Sequence, residues 1–498
     1  MIAWAALFSW PLISAVFYNR LTLPVALLAT LLGGYLLLPS NIAWDLPLVP
    51  VLDKKTIPVL TAIVLTVVFA RQTAGAMPPL PGWMPRDRVI RLMLAVLFLG
   101  FLATALTNTD PLFYGARVLP GQTIYDGFSQ AFEAALIIAP LFLARKLLAT
   151  PQAQRTLLLF FAVSGLVYSL PALYEVRMSP QLHAMVYGYF PHSFAQHVRG
   201  GGFRPVVFLN HGLSLSMYFT FSLIALCCLV RISGDTARIR WLFATVWMAA
   251  TLVLTKSLGV LLIATLIVPL VLFFSVRVQL LAAVCIATVV LTYPVLRSAN
   301  IVPVDQVLNV AESINPERAA SFRTRVVNEE MLLAKANERA LFGWGGWGRN
   351  RIYTEYGRDI SVTDGEWILA IGGGGWVRYL PLFGLLAWPI MKLYLYHRRE
   401  VDPVLAALTL ILAAKLLDIL PNAGLIAPVW LIAGAILGRM ELLESGEVQA
   451  GAEEEANARA SPRYARQFTP PAARAAALDT RRRTLGHSRI TQAPGYRK

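Results

Sequence analysis

Charge is scarce in this sequence. Of its 498 residues 14% are charged and 57% hydrophobic, and the mean hydropathy is +0.59. A soluble globular chain carries about 25% charged residues, so a soluble domain is excluded. Cysteine is scarcer still, at three. Cys227 and Cys228 are adjacent inside one apolar run and Cys285 lies inside another. This excludes a disulfide framework, and no zinc spacing occurs. The thiols read as buried, small apolar packing groups. Neither a P-loop nor a dinucleotide-binding glycine fingerprint is present. Acidic residues are outnumbered 28 to 44 by Lys and Arg, for a net charge of +16. In so apolar a chain that excess reports topology and not a nucleic-acid partner, because Lys and Arg in short loops mark the cytoplasmic side.

What is present is apolar length. Hydropathy predicts about thirteen spans, at roughly 2–18, 21–38, 56–70, 89–107, 124–144, 156–174, 205–230, 240–255, 257–275, 278–296, 366–391, 403–420 and 423–440. The first has no basic region before it and no clear cleavage site, so it reads as a membrane helix and not a cleaved signal. The expected fold is all-α: a polytopic integral membrane bundle of about 12–13 transmembrane helices over residues 1–440. Residues 441–498 lose apolar periodicity and read as a disordered basic tail. Arg481–Arg483 suit anionic lipid, and a solvated tail is the plainer alternative.

Charge sets the orientation. Arg71/Arg86/Arg88, Arg145/Lys146/Arg155, Arg231/Arg238/Arg240, Arg277 and Lys392/Arg398/Arg399 fall on every second connection. Those connections and the C-terminus are therefore expected in the cytoplasm. The loops at 175–204 and 297–365 then face the other side and keep their arginines there. A translocated loop that keeps arginines against the positive-inside rule points to a use for them.

The loop at 297–365 is the longest strongly polar segment before the tail. Ser321–Ala340 has helical spacing, with Val326, Met331, Leu332 and Leu341 on one inward side. The loop is expected to be partly helical and to lie over a cavity. Arg325 and Glu329 are four apart and share a helix face. Trp344 and Trp347, among Gly343, Gly345, Gly346 and Gly348, suggest a tight aromatic turn suited to sugar rings, although Trp is also common at membrane interfaces. Asp364 stands where it serves either as a general base or as a helix N-cap, with Glu366 in the first turn. In the earlier loop Arg199 and Arg204 flank a glycine run, and Asn210 and His211 open the next span. Arginines present forked donors that suit phosphate, and polar groups at a span's mouth are costly unless used. His183, His192, His197 and His211 match no zinc pattern. Glu133, Arg378, Lys415 and Asp418 are charges inside spans, and Lys415 and Asp418 are spaced to pair.

RGGGFRPVVFLNHG before one span, and SFRTRVVNEE, ERALFGWGGWGRNR and VTDGEW before another, resemble the O-antigen ligase and O-antigen polymerase superfamily, nearest its exopolysaccharide polymerase-like members. The resemblance covers roughly 160–400. It implies a glycosyltransferase of polysaccharide biosynthesis in the bacterial inner membrane, without cofactor or metal. Such an enzyme takes a glycan from undecaprenyl diphosphate on the periplasmic face. A polymerase passes it to another lipid-linked glycan, and a ligase passes it to lipid A-core. By motif position, the resemblance implies that Arg204 and Arg325 hold the diphosphate, with Arg199 and Arg349 as second choices. Ligases commonly carry a histidine where this chain has Asp364. The implied partners are the lipid-linked glycan, the bilayer and other assembly proteins. A glycolipid transporter or flippase is the alternative outside enzymes.

Topology can be measured first. A reporter fused after Asn309 is expected to report the periplasm, and one fused after Gly451 the cytoplasm. Both fusions reporting one side would overturn the orientation.

Overall fold

Apolar length does become helix at every expected place in the computed structural model, which describes residues 1–45, 50–72, 80, 82–199, 201–299 and 316–445, with 301, 306, 308, 309, 312 and 313 between. The helices are α1 (Ile2–Arg20), α2 (Leu23–Leu37), α3 (Thr56–Gln72), α4 (Arg88–Leu106), α5 (Ile124–Leu147), α6 (Pro151–Met178), the short α7 (Leu182–Tyr187) and α8 (Gly212–Ile232). They continue as α9 (Asp235–Leu254), α10 (Leu258–Phe273), α11 (Val276–Ser298), α12 (Pro316–Glu338), α13 (Glu366–His397), α14 (Pro403–Asp418) and α15 (Ala427–Ser445). Among the described residues the sheet content is three antiparallel hairpins: β1–β2 (Ala43–Trp44, Leu52–Asp53), β3–β4 (Leu112–Tyr114, Arg117–Leu119) and β5–β6 (Val198–Arg199, Gly202–Phe203). The fold is an all-α polytopic bundle.

Eight of the described helices are long and apolar enough to cross a membrane: α1, α4, α5, α6, α8, α9, α11 and α13. α2, α3 and α10 are apolar but shorter. α14 is 16 residues long, and α15 carries Arg439, Glu441 and Glu444 within 19. Burial separates centre from rim. The span of α8 is 89% buried and that of α9 only 22%, so α8 is a core helix and α9 turns most of an apolar surface outward, where a bilayer would cover it. Cys227 and Cys228 are buried on α8, whereas Cys285 is exposed on α11, which corrects the reading of all three as interior groups.

Small residues set the closest helix crossings. A Cβ on Gly434 or Gly438 of α15 would meet the carbonyl oxygens of Leu141 and Arg145 on α5 at 2.2 and 2.3 Å. This small-xxx-small pair brings two backbones together without needing an apolar driving force. At the same end, Arg145 donates to Glu441 at 2.8 Å with both side chains fully buried, and Lys392 lies 2.6 Å from Asp87. The basic connections expected in the cytoplasm thus converge on carboxylates there.

α13 is broken. Gly375 has φ +63° and ψ −161°, outside the helical region, so the helix is two pieces joined at a kink. The backbone groups freed at the break are taken by the turn that follows α12. Trp344 and Gly345 N–H donate to the Gly372 and Gly373 carbonyls at 2.9 and 2.8 Å. Trp376 and Val377 N–H donate to the Ala340 and Leu341 carbonyls at 2.9 and 3.2 Å. On the other flank Thr104 and Asn108 donate to the Phe342 and Gly343 carbonyls at 2.7 and 3.0 Å. Because α12 ends at Glu338, the helical spacing expected to carry Leu341 inward stops short, and Leu341 is 56% exposed while Leu332, Leu333 and Ala336 are buried.

The start of α13 also differs from expectation. Its N-cap is Gly365, with no side-chain cap, and Asp364 instead pairs with Arg325 at 3.3 Å. Residues Met1–Glu444 form one unit. Of the tail expected at 441–498, residues 441–445 instead continue α15, and those from 446 onward lie outside the described residues.

A Cβ at Gly375 would lie 2.3 and 2.4 Å from the Leu341 and Ala340 carbonyl oxygens, in a backbone region that L side chains avoid. Gly375→Ala is therefore expected to lower stability by about 1–3 kcal/mol or more. Gly259→Ala, where nothing lies within 4 Å, is the matched control. Thermal unfolding in detergent compares the two.

Candidate functional site

A cavity of about 660 Å³ opens where α2, α5, α8, α13 and α14 meet the α2–α3 and α14–α15 connections. Its walls are mostly aliphatic and aromatic, including Leu31, Tyr35, Phe101, Ile137, Met217 and Leu382. Four cations reach it: Lys54 and Lys55 from the α2–α3 connection, Arg378 from α13 and Lys415 from α14. Two carboxylates, Asp53 and Glu366, line it as well. Concave, mostly apolar and marked by a few charges, it has the make-up of a ligand site.

The charges are not equally available. Lys415 is held by Asp418 at 2.6 Å, as their spacing predicted. Asp53 Oδ1 accepts the Lys55 and Thr56 N–H groups at 2.8 and 2.9 Å, which secures the start of α3. Lys54 donates to the Phe208 carbonyl at 2.7 Å and to Ser40 Oγ at 3.2 Å. Burial pulls its ammonium down to about 7, with Asp53 pulling the other way.

Arg378 is different. Its guanidinium lies over the Phe101 ring, 5.0 Å from the centroid, a favourable cation–π contact. Its Nε is buried and has no hydrogen-bond partner among the described residues. The side chain runs back against Gly374, where a Cβ would meet Arg378 Cβ at 2.4 Å, so only glycine leaves it room. Because α13 restarts after Gly375, Arg378 stands in the first turn of a half-helix. The partial positive charge of that end adds to its own. A buried donor without an acceptor is rare and calls for an explanation, and an anionic ligand supplies one.

Of the residues expected from the sequence, Asn210 and Glu366 line this cavity, while Arg204 and Arg325 do not. Arg204 is 4% exposed, stacks its stem over Gly212 and donates to the Lys256 carbonyl at 3.3 Å. Arg325 contacts Asp364. Arg199 is exposed on β5, and its carbonyl accepts from Lys256 Nζ at 3.0 Å. His211 caps α8 by accepting the Leu213 N–H at Nδ1, 3.0 Å away. Burial first, then His197 and Arg204, push its imidazole down to about 3, which leaves it a poor base at neutral pH. The His192, His197 and His211 rings pack with centroids 4.9–5.7 Å apart. Among the described residues no group of three or more His, Cys, Asp or Glu is placed to hold a metal ion.

Three further residues of the loop are engaged by the protein itself. Arg349 is fully buried and donates to the carbonyls of Trp344, Asp110 and Pro120 at 3.1, 2.7 and 2.9 Å, so it ties the loop together. Trp344 is buried, donates to the Lys335 carbonyl at 2.7 Å and lies under Arg339 at 4.3 Å. Glu329 takes Arg297 at 2.9 Å and the Tyr293 hydroxyl at 3.1 Å, not Arg325. Trp347 stays 63% exposed, with φ +60° and its indole N–H 3.3 Å from Asp126. Among the described residues, none of 297–365 lines this cavity.

Lys54 and Lys55 were missed. Their signal was available, since the alternation of basic connections puts 38–55 on the same side as the two arginine loops, with two lysines that the positive-inside rule disfavours there. Because Lys54 loses its charge above about 7, binding of inorganic pyrophosphate in the cavity is expected to weaken as pH rises from 6 to 8. The loss should be about tenfold, the worth of one charged hydrogen bond of about 1.5 kcal/mol. Lys54→Met should bind weakly at both pH values, which calorimetry measures. Compared with protein-family models and with curated proteins, the chain matches none.

Proposed function

We propose that this protein is a membrane glycosyltransferase of bacterial surface polysaccharide assembly. It takes a glycan from undecaprenyl diphosphate on the periplasmic face and passes it to another lipid-linked glycan. The supporting observation is the apolar cavity in which Arg378 has a buried donor without an acceptor among the described residues, with Lys54 and Lys55 also lining it. An apolar wall takes the lipid-proximal part of such a donor, and the cations take its diphosphate.

The chemistry fits those parts. Cleaving the bond between a sugar and a diphosphate places negative charge on the departing oxygen. Fixed cationic donors in a water-poor site stabilise that charge, and the low dielectric raises the worth of each contact. The acceptor hydroxyl needs one base. In this reading Arg378 replaces the Arg204–Arg325 clamp as the main diphosphate ligand. The break in α13 is the feature that a transporter reading would claim, because broken helices form midplane sites in transporters. Here four of the backbone groups freed at the break are taken by the 340–345 turn.

A deletion strain tests the reading through its lipid and glycan profile. Accumulated single lipid-linked repeats are expected. Intact but unattached polymer would indicate a ligase, and an unchanged profile would overturn the enzyme. On complementation, Arg378→Ala is expected to lower polymer output by at least about 100-fold, the scale of one lost charge-stabilising donor. Arg378→Lys should also be impaired, because it keeps the charge and loses the fork. Arg358→Ala, on the exposed surface, should match wild type at equal membrane abundance.

A further inference from the structure

We infer that Glu366 is the proton acceptor of the transfer reaction, an assignment that rests on the reading above. Asp364, expected as a general base or a helix N-cap, pairs with Arg325, and His211 caps α8; neither lines the cavity. Two carboxylates line the cavity, Asp53 and Glu366. Asp53 Oδ1 fixes the start of α3, beside Lys54 and Lys55, whereas Glu366 stands on α13, the helix that carries Arg378.

Its geometry suits the task. Glu366 is the first residue of α13, half-buried, on the same wall as Arg378. Its N–H donates to the Ile419 and Asn422 carbonyls at 2.9 and 3.0 Å. Its Oε2 accepts the Gly424 N–H at 2.8 Å. Backbone and one carboxylate oxygen are thus pinned to the α14–α15 connection. The other oxygen, Oε1, has no donor among the described residues. One oxygen fixed and one open is how a carboxylate is held in position while keeping a lone pair for a proton. The charged groups around it are Arg378 on its own helix, the Lys415–Asp418 pair from α14, and Lys54, Lys55 and Asp53 from the α2–α3 connection. Glu133 of α5 adds its field at Arg378.

In the step, Oε1 takes the proton of the acceptor hydroxyl. The hydroxyl oxygen forms a bond to the anomeric carbon. The bond from that carbon to the diphosphate oxygen breaks, and the diphosphate leaves with the electron pair, facing Arg378. The proton then passes from Glu366 to the diphosphate or to solvent, which restores the carboxylate.

The test uses the full chain in nanodiscs, with lipid-linked repeats extracted from the deletion strain as donor and acceptor. Rates are measured across pH for wild type, Glu366→Gln, Glu366→Asp and Asp364→Asn. Binding of undecaprenyl diphosphate and thermal stability are measured alongside. Glu366→Gln keeps a carbonyl oxygen for the Gly424 N–H, so fold and binding should hold. Its kcat should fall by about 10²–10⁴, the range for a lost general base, with KM within about threefold of wild type. The acid limb of the pH profile should vanish with it, Glu366→Asp should retain part of the rate, and Asp364→Asn should keep both rate and limb. A Glu366→Gln variant with near-normal kcat and an intact acid limb overturns the assignment while the enzyme reading stands. So does one that loses binding and stability together, since Glu366 would then be only a pin. Wild-type protein that binds undecaprenyl diphosphate but transfers nothing overturns the enzyme reading and this assignment with it.

Discussion

The constraint on which the rest depends is the docking of one turn into one broken helix. At Gly375 the intrahelical ladder of α13 stops, and four backbone bonds to Ala340–Gly345 take its place. Inside a bilayer an unsatisfied backbone group costs several kcal/mol, so break and turn stabilise only as a pair. This pairing anchors the loop after α12 to the bundle. It also restarts α13 in the position that puts Arg378 in the first turn of a half-helix. Glycine is required on both sides: a Cβ on Gly343 would fall 2.5 Å from the Gly374 nitrogen.

Beneath that docking, arginines divide into two kinds by what surrounds them. Arg349 is buried with three carbonyl acceptors and holds the loop to the connection between α4 and α5. Arg378 has an aromatic face and a glycine wall instead of acceptors. Equal charge therefore has opposite consequences. A satisfied buried arginine rigidifies its surroundings. One left without an acceptor carries an electrostatic cost that a bound anion removes.

The cavity charges are arranged with the same economy. Lys415 is neutralised by Asp418, Asp53 is used at the start of α3, and Glu366 is tied to the α14–α15 connection. Lys54 sits low enough in its titration to gain charge when an anion arrives. An anionic ligand would thus meet cations that the protein itself does not fully neutralise, within mostly apolar walls.

Helix placement was legible in the sequence, because apolar length and a 3.6-residue period are local properties that bilayer thickness turns directly into helices. The Lys415–Asp418 pair and the helix after Pro316 were legible for the same reason, since partners three or four residues apart need no knowledge of the fold. Local spacing misled where a distant partner was better placed. Glu329 lies four residues from Arg325 but bonds Arg297 on α11, and Arg325 bonds Asp364. Spacing states which groups can meet along one helix and is silent on what the next element brings. Tertiary structure alone decided that Arg349 is a buried tie, that Gly375 is a break filled by a turn, and that Lys54, Glu366 and Arg378 share one cavity. Lys54 comes from the α2–α3 connection and the other two from α13, and packing brings them together because α15 must bury its glycine pair and α13 must satisfy its broken backbone.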